Sequence, residues 1–175
     1  MRVEGLLRTE GLSIAPLIAR VPRDGTERLP LSFAQQRLWF IQQLEPESAA
    51  YNLAYPLRLR GPLDVRALER SLSVLVGRHE TLRTVFPSHA GEAVPVIHPA
   101  APRRIPLADL RRLLPEARER EVRRQAKEAA LRPFDLAAGP LLRVHLVRLG
   151  EAEWGVLFVL HHIVSDGWSL GVLIR

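Results

Sequence analysis

Apolar residues along this chain change between two spacings, and each change marks an element. Ser32 precedes a stretch in which Phe33, Arg37, Phe40, Ile41 and Leu44 recur at three-to-four spacing. That pattern predicts a helix capped by Ser32 and ending near Pro46. From Asn52 to Arg60 the period falls to two, with Leu53, Tyr55, Leu57 and Leu59 on one side, so a half-buried strand is expected before Gly61-Pro62. Helical spacing returns after Asp64, where Val65, Leu68, Leu72, Leu75 and Val76 share a face. Thr81 to Phe86 and Glu92 to His98 read as short strands around a turn at Ser88 to Gly91. Pro115 opens a highly charged helix reaching about Leu131, and Pro133 stops it. Leu141 to Leu149 and Trp154 to His162 form an antiparallel pair joined at Gly150, and a last helix is expected to start near Ser169. Helices alternating with strands, some antiparallel, give an α/β (α+β) two-layer sandwich, a mixed sheet with helices packed on it, rather than a nucleotide-binding parallel sheet.

The first 28 residues break this order. Gly5, Gly11, Pro16, Pro22 and Gly25 interrupt any period, so residues 1–28 read as an interdomain connector, with Leu12 to Ile18 able to bury against the body as an irregular strap. The remaining 29–175 is the size of one domain. A hydrophobic fraction of 47% with 25% charged residues excludes a disordered or collagen-like chain. Cysteine is absent, which removes disulfide scaffolds, thiolate metal sites and thiol nucleophiles. No signal-like start or membrane-length apolar run is present, so a cytoplasmic protein without a membrane partner is expected. The net charge of +6 is carried almost wholly by arginine. Its densest stretch, Arg103 to Lys127, is interleaved with Asp109, Glu116, Glu119 and Glu121. That is a solvated helix face, not the one-signed stripe with aromatics that a nucleic-acid partner calls for.

Of six histidines, His89 and His98 sit in loop sequence and His145 lies within a strand. The informative cluster is His161-His-Ile-Val-Ser-Asp-Gly-Trp168, at the end of an apolar strand. Successive strand residues point to opposite faces, so only one of the two imidazoles can line a given cleft. A neutral imidazole there can accept a proton or hold an amine or hydroxyl. Asp166 lies at the turn, where its carboxylate suits bracing the loop against an arginine. Gly167 lets backbone approach a substrate. A structural histidine pair with a helix-capping aspartate remains open on spacing alone. A metal held by His161, His162 and Asp166 is disfavoured because the faces diverge, and Ser165 lacks a nucleophile elbow.

Three ordered motifs carry a resemblance: Leu31-Ser-Phe-Ala-Gln-Gln-Arg-Leu-Trp-Phe40, then Arg78-His-Glu-Thr-Leu-Arg-Thr84 with Phe86, then His161 through Ser169. Phe134-Asp-Leu136 and Gly139-Pro-Leu141 fit between the last two. The chain resembles the N-terminal lobe of a condensation domain of nonribosomal peptide synthetases, of the chloramphenicol acetyltransferase-like fold. The resemblance implies acyl transfer: an acceptor amine attacks a donor thioester, each held on the phosphopantetheine arm of a carrier protein. No cofactor or metal is implied on the chain itself. His162 is the implied catalytic or positioning group, and Gly167 lies against the intermediate. Asp166 is implied to be structural and paired with Arg83, with Arg78 and His161 in support. Trp168 directly after Gly167 resembles domains that join an L-configured donor to an L-configured acceptor, not epimerisation domains. Implied partners are upstream and downstream carrier proteins, adjacent synthetase domains and a second lobe. Because the family's tunnel runs between two lobes, the chain is expected to be inactive alone. A non-catalytic docking lobe and an ester-forming relative are the alternatives.

Overall fold

The computed structural model describes residues 29–174, so the connector expected over 1–28 lies outside the described residues. In chain order the elements are α1 (Phe33–Leu44), β1 (Asn52–Arg60), α2 (Val65–Arg78), a 3-10 turn (Glu80–Arg83), and the short strands β2 (Thr84–Val85), β3 (Ser88–His89), β4 (Glu92–Ala93) and β5 (Val96–Ile97). After them come β6 (Leu107–Asp109), α3 (Pro115–Leu131), β7 (Leu142–Gly150), β8 (Glu153–His161) and α4 (Gly167–Ile174).

The main sheet has the order β1-β8-β7-β6, with β8 antiparallel to both neighbours and β6 parallel to β7. The expected mixed sheet is therefore present, with helices packed on it, and those helices divide between its two faces. Trp154, Val156 and Leu160 of β8 join Leu72 and Val76 of α2 in one core. Leu157 and Val159 point the other way and meet Leu38 of α1, Phe134 and Leu136, with Ala126 and Ala129 of α3 against them. The two cores are the direct result of period two along a strand buried on both faces.

Local chemistry sets most boundaries. Ser32 and Gln35 form a reciprocal capping box at α1, and Asp64 accepts from the Ala67 N–H at α2. Gly139 has φ of 62°, and a Cβ there would sit 2.8 Å from Val85 Cγ1, so only glycine fits the entry to β7.

Two expectations are corrected. The strand expected from Thr81 begins only at Thr84, because the Leu82 N–H donates to the His79 carbonyl and winds the preceding residues into a 3-10 turn. The paired segments around the Ser88 to Gly91 turn are two separate ribbons, β2 with β5 and β3 with β4. A third finding concerns α1. Its apolar stripe faces outward, with Phe33 90% and Leu44 67% exposed, while Leu38 and Gln42 are buried. Gln42 tolerates that position because its amide donates to the carbonyls of Pro46 and Phe134.

Candidate active site

The site is built at the C-terminal end of β8, the central strand. There the backbone keeps its ladder for one residue beyond the strand: the His161 N–H donates to Leu141 O and the His162 N–H to Tyr51 O. The side chains separate by alternation. His161 continues the face of Leu157 and Val159 and is 1% exposed, whereas His162 is exposed.

His161 is a packing element. Its ring lies edge-on to Phe134 at 6.0 Å between centroids and tilted against Tyr51 at 6.5 Å. Its Nδ1 accepts the Ile163 N–H at 3.1 Å, which places the proton on Nε2, a buried atom without a hydrogen-bond partner. Burial, with the neighbouring His162 adding to it, pushes the His161 pKa down to about 4. At neutral pH this ring is uncharged and fixed.

His162 is held differently. Its Nδ1 lies 3.0 Å from the carbonyl oxygen of Ser165. A carbonyl only accepts, so Nδ1 carries the proton and Nε2 keeps a free lone pair. The turn that provides this carbonyl is pinned from behind. The Val164 N–H donates to His161 O, Ile163 and Val164 are buried, and Gln35 Nε2 of α1 donates to Ile163 O at 3.4 Å. Two buried residues thus anchor a loop whose exposed members are the ones with chemistry.

The expected pairing of Asp166 with Arg83 is not formed. Asp166 Oδ1 accepts from the Ser169 backbone N–H at 2.7 Å and from Ser169 Oγ at 2.6 Å. These bonds, the side-chain one foremost, hold its carboxyl below the ordinary carboxylate value. Asp166 is the cap of α4, which is why that helix begins at Gly167 rather than near Ser169. Arg83 serves another joint. Its guanidinium donates to His98 O and faces Glu80, tying the 3-10 turn to the end of β5. Arg78 is exposed in the last turn of α2.

Gly167 does not need glycine for its φ, and a Cβ there would lie 3.8 Å from the Tyr55 hydroxyl, an ordinary contact. Tyr55, on β1, is the neighbour that the linear sequence did not bring to the site. It was legible as one member of an alternating strand, but only the pairing of Tyr55 with Phe158 sets it near the end of β8. Among the described residues no group of three His, Asp or Glu side chains gathers to hold a metal ion, and no helix is long and apolar enough to cross a membrane.

Comparison with known proteins agrees on the family. The profile of the Condensation domain matches residues 26–175. A linear gramicidin synthase of Brevibacillus parabrevis is 51% identical over 165 residues, which is 94% of this chain and 3% of that protein. Among solved structures, the starter condensation domain of rhizomide synthetase RzmA superposes with a TM-score of 0.77 at 25% identity, covering 86% of this chain and 36% of that one. The X-domain from teicoplanin biosynthesis, solved in complex with OxyB, gives 0.79 at 34% identity, covering 93% of this chain and 34% of that one. The chain therefore spans about a third of the solved domains and a few per cent of the gramicidin synthase.

Proposed function

The chain belongs to the condensation-domain family of nonribosomal peptide synthetases, and on that premise we propose that residues 29–175 are the N-terminal lobe of such a domain, supplying the imidazole for amide formation. The observation that carries the reading is the state of His162: exposed, held through Nδ1–H, with Nε2 free to accept. In the reaction an acceptor amine attacks the carbonyl carbon of a donor thioester. The C–N bond forms as the tetrahedral intermediate is reached. The C–S bond breaks as it collapses, and the sulfur leaves on the donor arm as a thiolate that takes up the proton given up by the amine. Nε2 of His162 orients the amine or receives its proton as attack proceeds. Gly167 leaves room beside the reacting carbonyl, and Asp166 fixes the helix that carries Gly167.

Both partners are carrier proteins presenting phosphopantetheine thioesters, with adjacent synthetase domains and a second lobe completing the tunnel in the cytoplasm. The spacing of Gly167 and Trp168 supports an L-configured donor and an L-configured acceptor. His161 and Arg83 are supporting positions that hold the scaffold rather than the reacting atoms, and Arg78, exposed at the end of α2, has a supporting role on the resemblance alone.

The test uses a complete condensation domain carrying this lobe, with a loaded donor carrier and acceptor carriers bearing either an amino or a hydroxy acid. Mass spectrometry of the acceptor arm is expected to show the amide. Product only with the hydroxyl acceptor would assign an ester-forming relative. Docking without catalysis is a second reading, favoured by the likeness to an X-domain solved with OxyB. Transfer to neither acceptor, with both carriers still bound, would establish it.

A further inference from the structure

β6 pairs only with Leu146 to Arg148, so the start of β7 has no strand beside it, and a groove of about 220 Å3 runs along that open edge. Arg103, Arg104, Arg132, Arg143 and His145 line it, and none of its lining residues belongs to the active-site loop. Arg143 and His145, two apart on β7, share the face that packs toward α3. Arg143 is fixed in place: its guanidinium lies 3.7 Å over the Phe134 ring and donates to Arg132 O.

The charges gathered here are not balanced. Glu69 is the carboxylate at hand, and it is engaged by Arg104 at 3.0 Å and by the Ile105 N–H. Among the described residues no carboxylate pairs with Arg103, Arg132 or Arg143. Arg103 Nε, Arg143 Nε and His145 Nε2 are closed off from solvent without a hydrogen-bond partner. Burial, with Arg132 nearby, pushes the Arg143 pKa down to about 10, and burial with Arg143 and Arg132 lowers that of His145. Like charges held together in this way leave a site of positive potential. We propose that the groove binds a phosphate group, its oxygens meeting the guanidinium donors of Arg103, Arg132 and Arg143. Guanidinium forks match phosphate oxygens in pairs, and several of them can share one phosphate, whereas a lone carboxylate fills one fork. A free phosphate compound and the phosphodiester of a carrier-bound arm present the same oxygens.

The test titrates the full 175-residue chain with inorganic phosphate at constant ionic strength, followed by NMR. Saturable shifts are expected at the amides of Arg143 to His145. The His145 ring pKa is expected to rise by at least about half a unit, because a bound anion offsets the repulsion from Arg143 and Arg132. Chloride at the same ionic strength is expected to do neither, and shifts that chloride reproduces would overturn the proposal. Acetate is expected to bind at least about fivefold more weakly than phosphate, and equal affinity would overturn the assignment to phosphate. Arg143 packs on Phe134, so the variants are Arg103→Gln and Arg132→Gln. Each is expected to weaken phosphate at least about fivefold, while Arg70→Gln on α2 leaves it unchanged. Binding undiminished in both groove variants would defeat the proposal. The source of the group is read from a carrier protein with and without its phosphopantetheine arm. Binding at least about tenfold tighter with the arm, a gain lost in Arg132→Gln, assigns the phosphate to the arm. No such gain, with inorganic phosphate still bound, assigns it to a free phosphate compound.

Discussion

Lowering the pH acts on one buried imidazole in a way that can be worked through in advance. His161 is 1% exposed and its pKa is pushed from 6.5 to about 4 in the folded chain. Below pH 6.5 the unfolded chain takes up a proton that the folded chain refuses, so stability falls as pH drops from 6.5 toward 4 and is fully retained above 6.5. The shift amounts to about 3 kcal/mol by pH 4, a large share of a typical domain's stability. His161→Phe keeps a ring against Phe134 and Tyr51 but cannot titrate. It also leaves the Ile163 N–H unpaired, which costs about 1–3 kcal/mol at neutral pH. Urea unfolding followed by the fluorescence of buried Trp154, at pH values from 7 to 4, separates the two effects. Carboxylates held low, such as Asp109 and Asp166, titrate in both proteins and cancel in the difference. The wild-type chain is expected to be the more stable at pH 7 and to lose that advantage by pH 4. Parallel stability curves over this range would refute the assignment of His161 as a neutral packing residue.

Further outcomes follow from the same geometry. Asp166→Ala removes a helix cap rather than a buried ion pair, so chemical denaturation is expected to show a loss of about 1 kcal/mol. A loss of about 3–5 kcal/mol would restore the pairing with Arg83. Gly167→Ala leaves an ordinary contact with Tyr55 and improves helix propensity, so stability is expected to hold or rise by about 0.5 kcal/mol. In a complete domain the same change is expected to lower transfer at least about tenfold, and unchanged transfer would remove Gly167 from the site. Gln35→Glu preserves the capping-box acceptor but cannot donate to Ile163 O, so thermal melting is expected to stay near wild type while transfer weakens. Undiminished transfer would show that the loop needs no anchor from α1.

What the sequence disclosed depended on whether a residue's partner was near it in the chain. The caps at Ser32 and Asp64, the charged helix from Pro115 and the β7–β8 hairpin all rest on local chemistry, and all were legible. The outward stripe of α1 was not. Periodicity defines a stripe but not what it faces, and the buried position of Gln42 depends on carbonyls at Pro46 and Phe134. β6 is three residues long and pairs in parallel with β7, a register no short segment announces. At the site, alternation showed that the two imidazoles must part, but both faces of β8 are cored, so which ring is buried depended on Phe134 and Tyr51 packing over His161 while His162 lies one residue past the strand's end. A cap at Asp166 was one of two readings the turn left open; the residue types favoured a brace against an arginine, Arg83 as its partner came from resemblance, and the bonds to Ser169 decide for the cap. Tyr55 is near Gly167 only through cross-strand register.

The central claim, that Nε2 of His162 meets the incoming nucleophile while His161 holds the scaffold, is tested most directly by single-turnover transfer. A complete domain carrying this lobe would be compared as wild type, His162→Ala and His161→Phe, each loaded with the same donor and acceptor carriers. His162→Ala is expected to lower the rate by about 10²–10⁴-fold with folding intact, and His161→Phe to stay near wild type at neutral pH. Full transfer by His162→Ala, with transfer lost in a folded His161→Phe, would contradict it.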